Sequence, residues 1–261
     1  MTENEVLYMY IVLFVGMAGS GKSRLTASFG DWLKLTRQNV IFVNLDPGVT
    51  SLPYNPDIDA RNYIDFSALM DEYKLGPNGA LLVASDLIAD HLEEIREEIT
   101  EVKPDIVLID TPGQIELFAF RESGPYIMDS ILDCPKATVF LFDAPFCRNP
   151  LNYISNVYLS IAVYTRLIQP QVYALSKIDL IRKEELNRIL SWTKNIDFLQ
   201  NSLWNEGREI SSLINDSLIR IISEVGLDVR PIPVSSIEDH GFPEINAELT
   251  RLVSKGEEER P

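Results

Sequence analysis

Gly16-Met17-Ala18-Gly19-Ser20-Gly21-Lys22-Ser23 fits the pattern G-x-x-x-x-G-K-[ST], the loop that cradles nucleotide phosphates. Tyr8 to Val15, just before it, is an apolar run of β-branched and aromatic residues suited to a buried strand. Ser23 to Leu33, just after it, reads as an amphipathic helix. Strand, glycine-rich turn and helix is the context this motif requires. Glycines let successive backbone N–H groups turn inward as a nest for phosphate oxygens, and the helix N-terminus adds partial positive charge. The candidate phosphate contacts are therefore Gly16, Ala18, Gly19, Ser20, Gly21, Lys22, Ser23 and Arg24. Lys22 is expected to reach the β- and γ-phosphates, and the Ser23 hydroxyl to ligate Mg²⁺.

With 261 residues, 46% of them hydrophobic, the chain suits one large α/β domain, plain or with insertions. A net charge of −16 is spread along the sequence, which argues against direct binding to nucleic acid or to an anionic membrane surface. Cys134 and Cys147 form no CxxC pair and read as reduced thiols of a cytoplasmic protein. His91 and His240 are too few and too separated for a histidine metal site. Acidic residues precede the first apolar run, Val6 to Ala18, which is also short of a membrane span.

A second strand, Asn39 to Leu45, ends at Asp46-Pro47-Gly48. An acid at a strand end beside a phosphate loop suits either Mg²⁺ or the attacking water. Residues 61–75 read as a helix with Ile64, Ala68, Leu69 and Tyr73 on one stripe. Gly76-Pro77-Asn78-Gly79 then signals a turn, and a helical stretch runs to about Val102. The third strand, Pro104 to Asp110, is apolar and closes on an acid placed to hold Mg²⁺. Asp110-Thr111-Pro112-Gly113 is a D-x-x-G segment, in which the Gly113 N–H senses a γ-phosphate and Gln114 can orient a water.

Further strands are Ala137 to Asp143 and Gln171 to Leu175, with a helix over 151–168 between them. Ser176-Lys177-Ile178-Asp179 follows, close to the guanine-reading pattern [NT]-K-x-D. Guanine presents N1–H and N2–H₂ as adjacent donors that one carboxylate accepts as a pair. Adenine has no such pair and would leave the carboxylate unsatisfied. Lys177 can lay its stem along the base. Residues 183–200 and 206–226 read as two helices, the second with an apolar stripe suited to a core or an interface. Pro231 to Val234 is a last strand, leading to Ser235-Ser236, whose backbone N–H groups can meet the base oxygen, and then to a closing helix. The expected fold is a three-layer α/β/α doubly wound, mainly parallel sheet of the phosphate-loop type. It forms one domain over 1–261, with helical insertions at about 57–102 and about 183–228.

These motifs together resemble the Gpn-loop GTPases over nearly the whole chain, the Gly76-Pro77-Asn78 triplet being the name-giving feature. Ser176 departs from the usual Asn, so guanine selectivity rests mainly on Asp179. The resemblance implies GTP hydrolysis with GTP/GDP and Mg²⁺ bound. It also implies a homodimer in which the Asn78 loop of one subunit reaches the phosphates held by the other. Asp46 would be the general base or water-orienting acid, assisted by Gln114 and Glu116. Ser23, Asp46 and Asp110 are the candidate metal ligands, so whether Asp46 works on the water or mainly on the metal stays open. Eukaryotic members of the family are implicated in assembling or importing RNA polymerase, which suggests a client without naming one for this chain. A small-molecule kinase shares the loop but has no use for the guanine and D-x-x-G-Q segments. A partitioning ATPase needs a second lysine where this chain has Met17. A non-catalytic, nucleotide-switched scaffold is the remaining alternative.

Overall fold

Residues 9–205, 217 and 229–258 are described by a computed structural model of the chain. β1 (Tyr10–Gly16) is buried along its whole length at the middle of a seven-stranded sheet. β4 (Ile106–Asp110) lies on one side of it, followed outward by β2 (Val40–Asn44) and the two-residue β3 (Ile58–Asp59). β5 (Lys136–Asp143), β6 (Gln171–Ser176) and β7 (Ile232–Pro233) extend the other side. Every pairing in the sheet is parallel. Parallel strands covered on both faces read as continuous apolar runs, which is how the inner ones stand out in the sequence.

Pleating divides β1 between two cores. Tyr10, Val12 and Phe14 pack with Leu25, Phe29 and Leu33 of α1 (Lys22–Leu35) and with Phe242, Ile245 and Leu249 near the C-terminus. Ile11, Leu13 and Val15 face the opposite way, among Ile88, Ile95, Met128 and Val157. The fold is thus the expected three-layer α/β/α arrangement. The chain leaves β1 toward β2 and leaves β4 toward β5, on opposite sides of β1. Such a reversal opens a crevice beyond the C-terminal strand ends, where ligands of open α/β sheets sit.

The connection from β2 to β4 departs from the pattern-based reading in three places. The helix expected over 61–75 begins later, as α2 (Phe66–Tyr73), because the Asp65 carboxylate caps it by accepting from the Ser67 and Ala68 N–H groups. Leu69 is buried but Ala68 and Tyr73 are exposed, so the expected stripe narrows. Gly76-Pro77-Asn78-Gly79 is the first turn of a helix rather than a free turn. Gly76 is the N-cap of α3 (Pro77–Asp90), and proline suits the first helical position, where no N–H partner is needed. The helical stretch expected to reach Val102 breaks at His91 into α3 and α4 (Leu92–Val102).

Two short helices, α5 (Ile115–Phe118) and α6 (Ser123–Ser130), follow β4, and α7 (Pro150–Leu167) follows β5. The helix expected over 183–200 is two, α8 (Lys183–Lys194) and α9 (Ile196–Trp204). They are separated by Asn195, whose extended backbone and side chain start α9 afresh. The helix expected over 206–226 lies outside the described residues apart from Ser217. A closing helix, α10 (Phe242–Glu258), ends the described chain. Cys134 and Cys147 are both buried and share no disulfide. Among the described residues, no helix is long and apolar enough to cross a membrane.

Candidate functional site

α1 starts at Lys22 with Gly21 as its N-cap at φ 95°. Gly19 is also left-handed, at φ 75°, so the loop takes turns that side-chain-bearing residues rarely adopt. A Cβ on Gly16 would meet the Leu141 carbonyl at 3.0 Å, so the backbone lies directly against β5 there. Lys22 is 5% exposed. Its Nζ donates to the carbonyls of Gly16 at 2.9 Å, Met17 at 3.2 Å and Gly113 at 3.1 Å. Burial lowers its pKa, while the negative charges of Asp110, Asp46 and Glu116 act the other way. A buried ammonium satisfied only by neutral carbonyls is a strong prospective partner for anionic oxygens.

Asp110 ends β4, and its Oδ2 accepts from the Tyr54 hydroxyl at 3.1 Å. Its Oδ1 is buried and without a partner in hydrogen-bond geometry. Burial pushes the Asp110 carboxyl up to about 6, against the lowering effects of the nearby Ser23 hydroxyl and Lys22. A hydroxyl beside an under-satisfied carboxylate oxygen fits Mg²⁺, which takes few protein ligands and fills its octahedron with water and phosphate. Among the described residues there is no cluster of three or more His, Cys, Asp and Glu side chains that would suit a metal held by protein alone.

Asp46 lies just beyond β2, and both its carboxylate oxygens are engaged by backbone. Oδ1 accepts the Gly48 N–H at 3.0 Å and Oδ2 accepts the Gly113 N–H at 3.1 Å. Burial raises its pKa, opposed by those two hydrogen bonds and by Lys22 and Arg61. The glycine of the D-x-x-G segment therefore gives its N–H to Asp46, while its carbonyl takes the Lys22 ammonium. Gln114 follows, and Glu116 is exposed in the first turn of α5.

The first turn of α3 lies beside these groups. Gln114 Nε2 donates to Asn78 Oδ1 at 3.5 Å within the same chain. A Cβ on Gly48 would meet Leu81 at 2.5 Å. Asn78 thus lies beside the D-x-x-G segment of its own chain. The first turn of α3 thereby sits at the same edge as the D-x-x-G segment and the Asp46 turn.

At the other side of the crevice a pocket of about 240 Å³ is lined by Arg24, Ser176, Lys177, Asp179 and Ser236, with Leu180 and Ile237 supplying apolar walls. Asp179 Oδ1 accepts from the Ser235 hydroxyl at 2.7 Å. That hydroxyl oxygen also accepts the N–H groups of Ile237 at 3.3 Å and Glu238 at 3.2 Å. Ser235 thus acts on Asp179 through its side chain, a role that the expected backbone contact to the base did not include. Ser176 Oγ lies 2.7 Å from the Ser20 carbonyl and 3.1 Å from the Phe142 carbonyl, its one proton within reach of both, so a short hydroxyl ties the end of β6 to the phosphate loop. Lys177 has left-handed backbone at φ 60°. Its Nζ donates to Asp143 Oδ2 at 2.6 Å and to the Gly19 carbonyl, and its stem passes Gly21.

Tyr54 and Asp143 join the site although no motif marks them, because each arrives by a long-range contact that spacing cannot reveal, and Arg61 joins it through its neighbour Asp59 and the Val49 carbonyl. A larger cleft of about 470 Å³, lined by Arg148, Glu185, Arg188 and Trp192, contains none of the site residues and takes no part in it.

Residues 14–254 match the family described as conserved hypothetical ATP binding protein. The chain is 35% identical over 237 residues to a GPN-loop GTPase of Pyrococcus abyssi, covering 90% of this chain and 94% of that protein. It is 28% identical over 236 residues to GPN-loop GTPase 1 of Dictyostelium discoideum, covering 89% of this chain but only 59% of that longer relative. The crystal structure of a GTPase in apo form from Pyrococcus abyssi superposes with a TM-score of 0.83 at 33% identity, covering 93% of this chain and 97% of that one.

Proposed function

The chain belongs to the Gpn-loop GTPase family, and from that premise we propose that it binds GTP with Mg²⁺, hydrolyses it to GDP and phosphate, and works as a dimeric nucleotide-dependent switch. The observation that carries the choice of base is the Asp179 carboxylate in the 240 Å³ pocket. The matched family's description names ATP, but adenine has no paired donors for that carboxylate, whereas guanine has two side by side.

Catalysis of phosphoryl transfer is mainly positioning and charge stabilisation. The phosphate loop and Lys22 hold the phosphates. Ser23 and Asp110 would hold Mg²⁺, which supplies charge neutralisation on the phosphate oxygens when bound. Asp46 orients the attacking water or accepts its proton, with Gln114 next to its partner Gly113 in the chain and Glu116 assisting from the first turn of α5. The backbone bonds on both of its oxygens favour this role over direct metal ligation. A switch is supported by the links at Gly113, which ties Asp46 to Lys22. A γ-phosphate competes for both the Gly113 N–H and the Lys22 ammonium, so its arrival and loss remodel the segment.

Phosphate release measured without any acceptor tests the reading. GTP is expected to be hydrolysed in strong preference to ATP. Asp46→Ala and Gln114→Ala should each still bind GTP and hydrolyse it at least about tenfold more slowly. Equal turnover of ATP and GTP would overturn the guanine assignment, and normal turnover in both variants would overturn the catalytic one.

Asn78 is proposed to act on the nucleotide of a second subunit, on the strength of its exposed place at the proline-stiffened start of α3. Mixing Lys22→Ala with Asn78→Ala protomers leaves one intact site facing one intact Asn78. Activity above either variant alone is the expected result. No recovery in mixed dimers verified by native mass spectrometry, with Asn78→Ala inactive alone, would count against it. A cytoplasmic location, from the reading of Cys134 and Cys147 as reduced thiols, and RNA polymerase subunits as clients, by family resemblance, complete the proposal.

A further inference from the structure

β3 is only two residues long, yet side chains tie it into the site. Asn44, wholly buried at the end of β2, donates from Nδ2 to Asp59 Oδ1 at 2.9 Å and to the Asp46 carbonyl at 3.1 Å. Its Oδ1 accepts the Asp46 N–H at 3.0 Å. Asp59 takes the Arg61 guanidinium in a forked pair, with Nε 3.0 Å from Oδ1 and Nη2 2.6 Å from Oδ2, and its Oδ1 also accepts the Arg61 backbone N–H at 3.0 Å. Nη1 of the same guanidinium donates to the Val49 carbonyl at 3.3 Å. One connected set of hydrogen bonds therefore grips the turn carrying Asp46 at both ends, through Asn44 at its start and through Arg61 at Val49.

We infer that Arg61 and Asp59 are positioning residues for hydrolysis, fixing the backbone that aims the Asp46 carboxylate. The chemistry of the groups supports this. An ionised Asp59 can only accept, so it obliges the Asn44 amide to present its NH₂ there and its oxygen to the Asp46 N–H. Arg61 has the planar fork needed to hold Asp59 and still spare a donor for Val49, which a lysine lacks. Small displacements of a water-orienting group cost rate far more than they cost binding. The inference rests on the assignment of Asp46 to hydrolysis, and its test keeps the two apart.

Steady-state GTP hydrolysis is compared for the wild-type chain, Asp46→Ala, Arg61→Ala, Arg61→Lys, Asp59→Asn and the double variant Asp46→Ala/Arg61→Ala. Arg61→Ala is expected to lower kcat about tenfold with the KM for GTP within about twofold. Arg61→Lys should recover part of the loss. Asp59→Asn, which keeps an acceptor for Asn44 and gives up the ion pair, should fall with Arg61→Ala. On the Asp46→Ala background, Arg61→Ala should cost nothing more, because there is no carboxylate left to aim. Wild-type kcat in Arg61→Ala beside a slow Asp46→Ala overturns the inference. So does an equal loss on both backgrounds. Normal turnover in Asp46→Ala would instead overturn the assignment of Asp46, and the inference with it. If Arg61→Ala does not fold, Arg61→Lys and Asp59→Asn decide the matter by the same split between kcat and KM.

Discussion

Asp179→Asn is expected to lower the affinity for GTP about 30- to 1,000-fold and to turn the preference toward xanthosine triphosphate. In the proposed mode the carboxylate would accept two adjacent guanine N–H groups, and losing such a charge-assisted pair costs roughly 2–4 kcal/mol. A carboxamide keeps one acceptor but offers its NH₂ to the second donor, a mismatch on guanine and a match on xanthine, which carries an oxygen there. Ser235 sharpens the effect, because its hydroxyl donates to Asp179 Oδ1 at 2.7 Å and holds the group in one orientation. Calorimetric titration with GTP, ATP and xanthosine triphosphate gives the answer. Equal wild-type affinity for ATP and GTP, or an Asn variant that binds GTP normally, would remove Asp179 from base recognition.

Lys22→Ala should fail at an earlier point, at nucleotide binding itself. Lys22 is 5% exposed, and its ammonium is held by three carbonyls at 2.9 to 3.2 Å. In the proposed mode, arriving phosphates would replace those neutral acceptors with anionic oxygens, and hydrogen bonds to charged groups contribute roughly 1.5–3 kcal/mol each. Losing two of them lowers affinity by at least about 100-fold. The nucleotide-free variant is expected to stay folded, since what it loses is a charge whose burial already costs free energy. Titration with a fluorescent GTP analogue, beside a thermal melt of the free protein, checks both halves. Wild-type affinity in a folded Lys22→Ala would mean that the phosphates sit elsewhere.

The residues most legible in the sequence are those at strand ends. Parallel strands buried on both faces announce themselves as apolar runs, and in such a sheet their C-terminal ends share one edge. Asp46, Asp110 and Ser176 to Asp179 could therefore be placed near the phosphate loop from order alone. β3 was invisible because two residues between Pro53, Pro56 and a short turn carry no periodicity. The breaks at His91 and Asn195 were missed because neither proline nor glycine marks them. Tyr54 on Asp110 and Lys177 on Asp143 span 56 and 34 residues, contacts that only the folded chain creates. Asn78 shows the same limit. Helical insertions look like separation along the sequence, yet α3 returns to the edge it left.

The outer strands of the sheet have a consequence for how copies of this chain can meet. As described, the two edges are β3 and β7, each two residues long, and β7 ends in Pro233, which has no N–H to donate. An edge that short offers another chain almost no ladder to extend, so the long apolar strands inside are guarded against edge-to-edge aggregation. Among the described residues, neither edge offers a second copy more than two residues of strand to pair with. The surfaces the described residues leave for contact between copies are therefore side chains on the helical faces and around the crevice, not extended backbone.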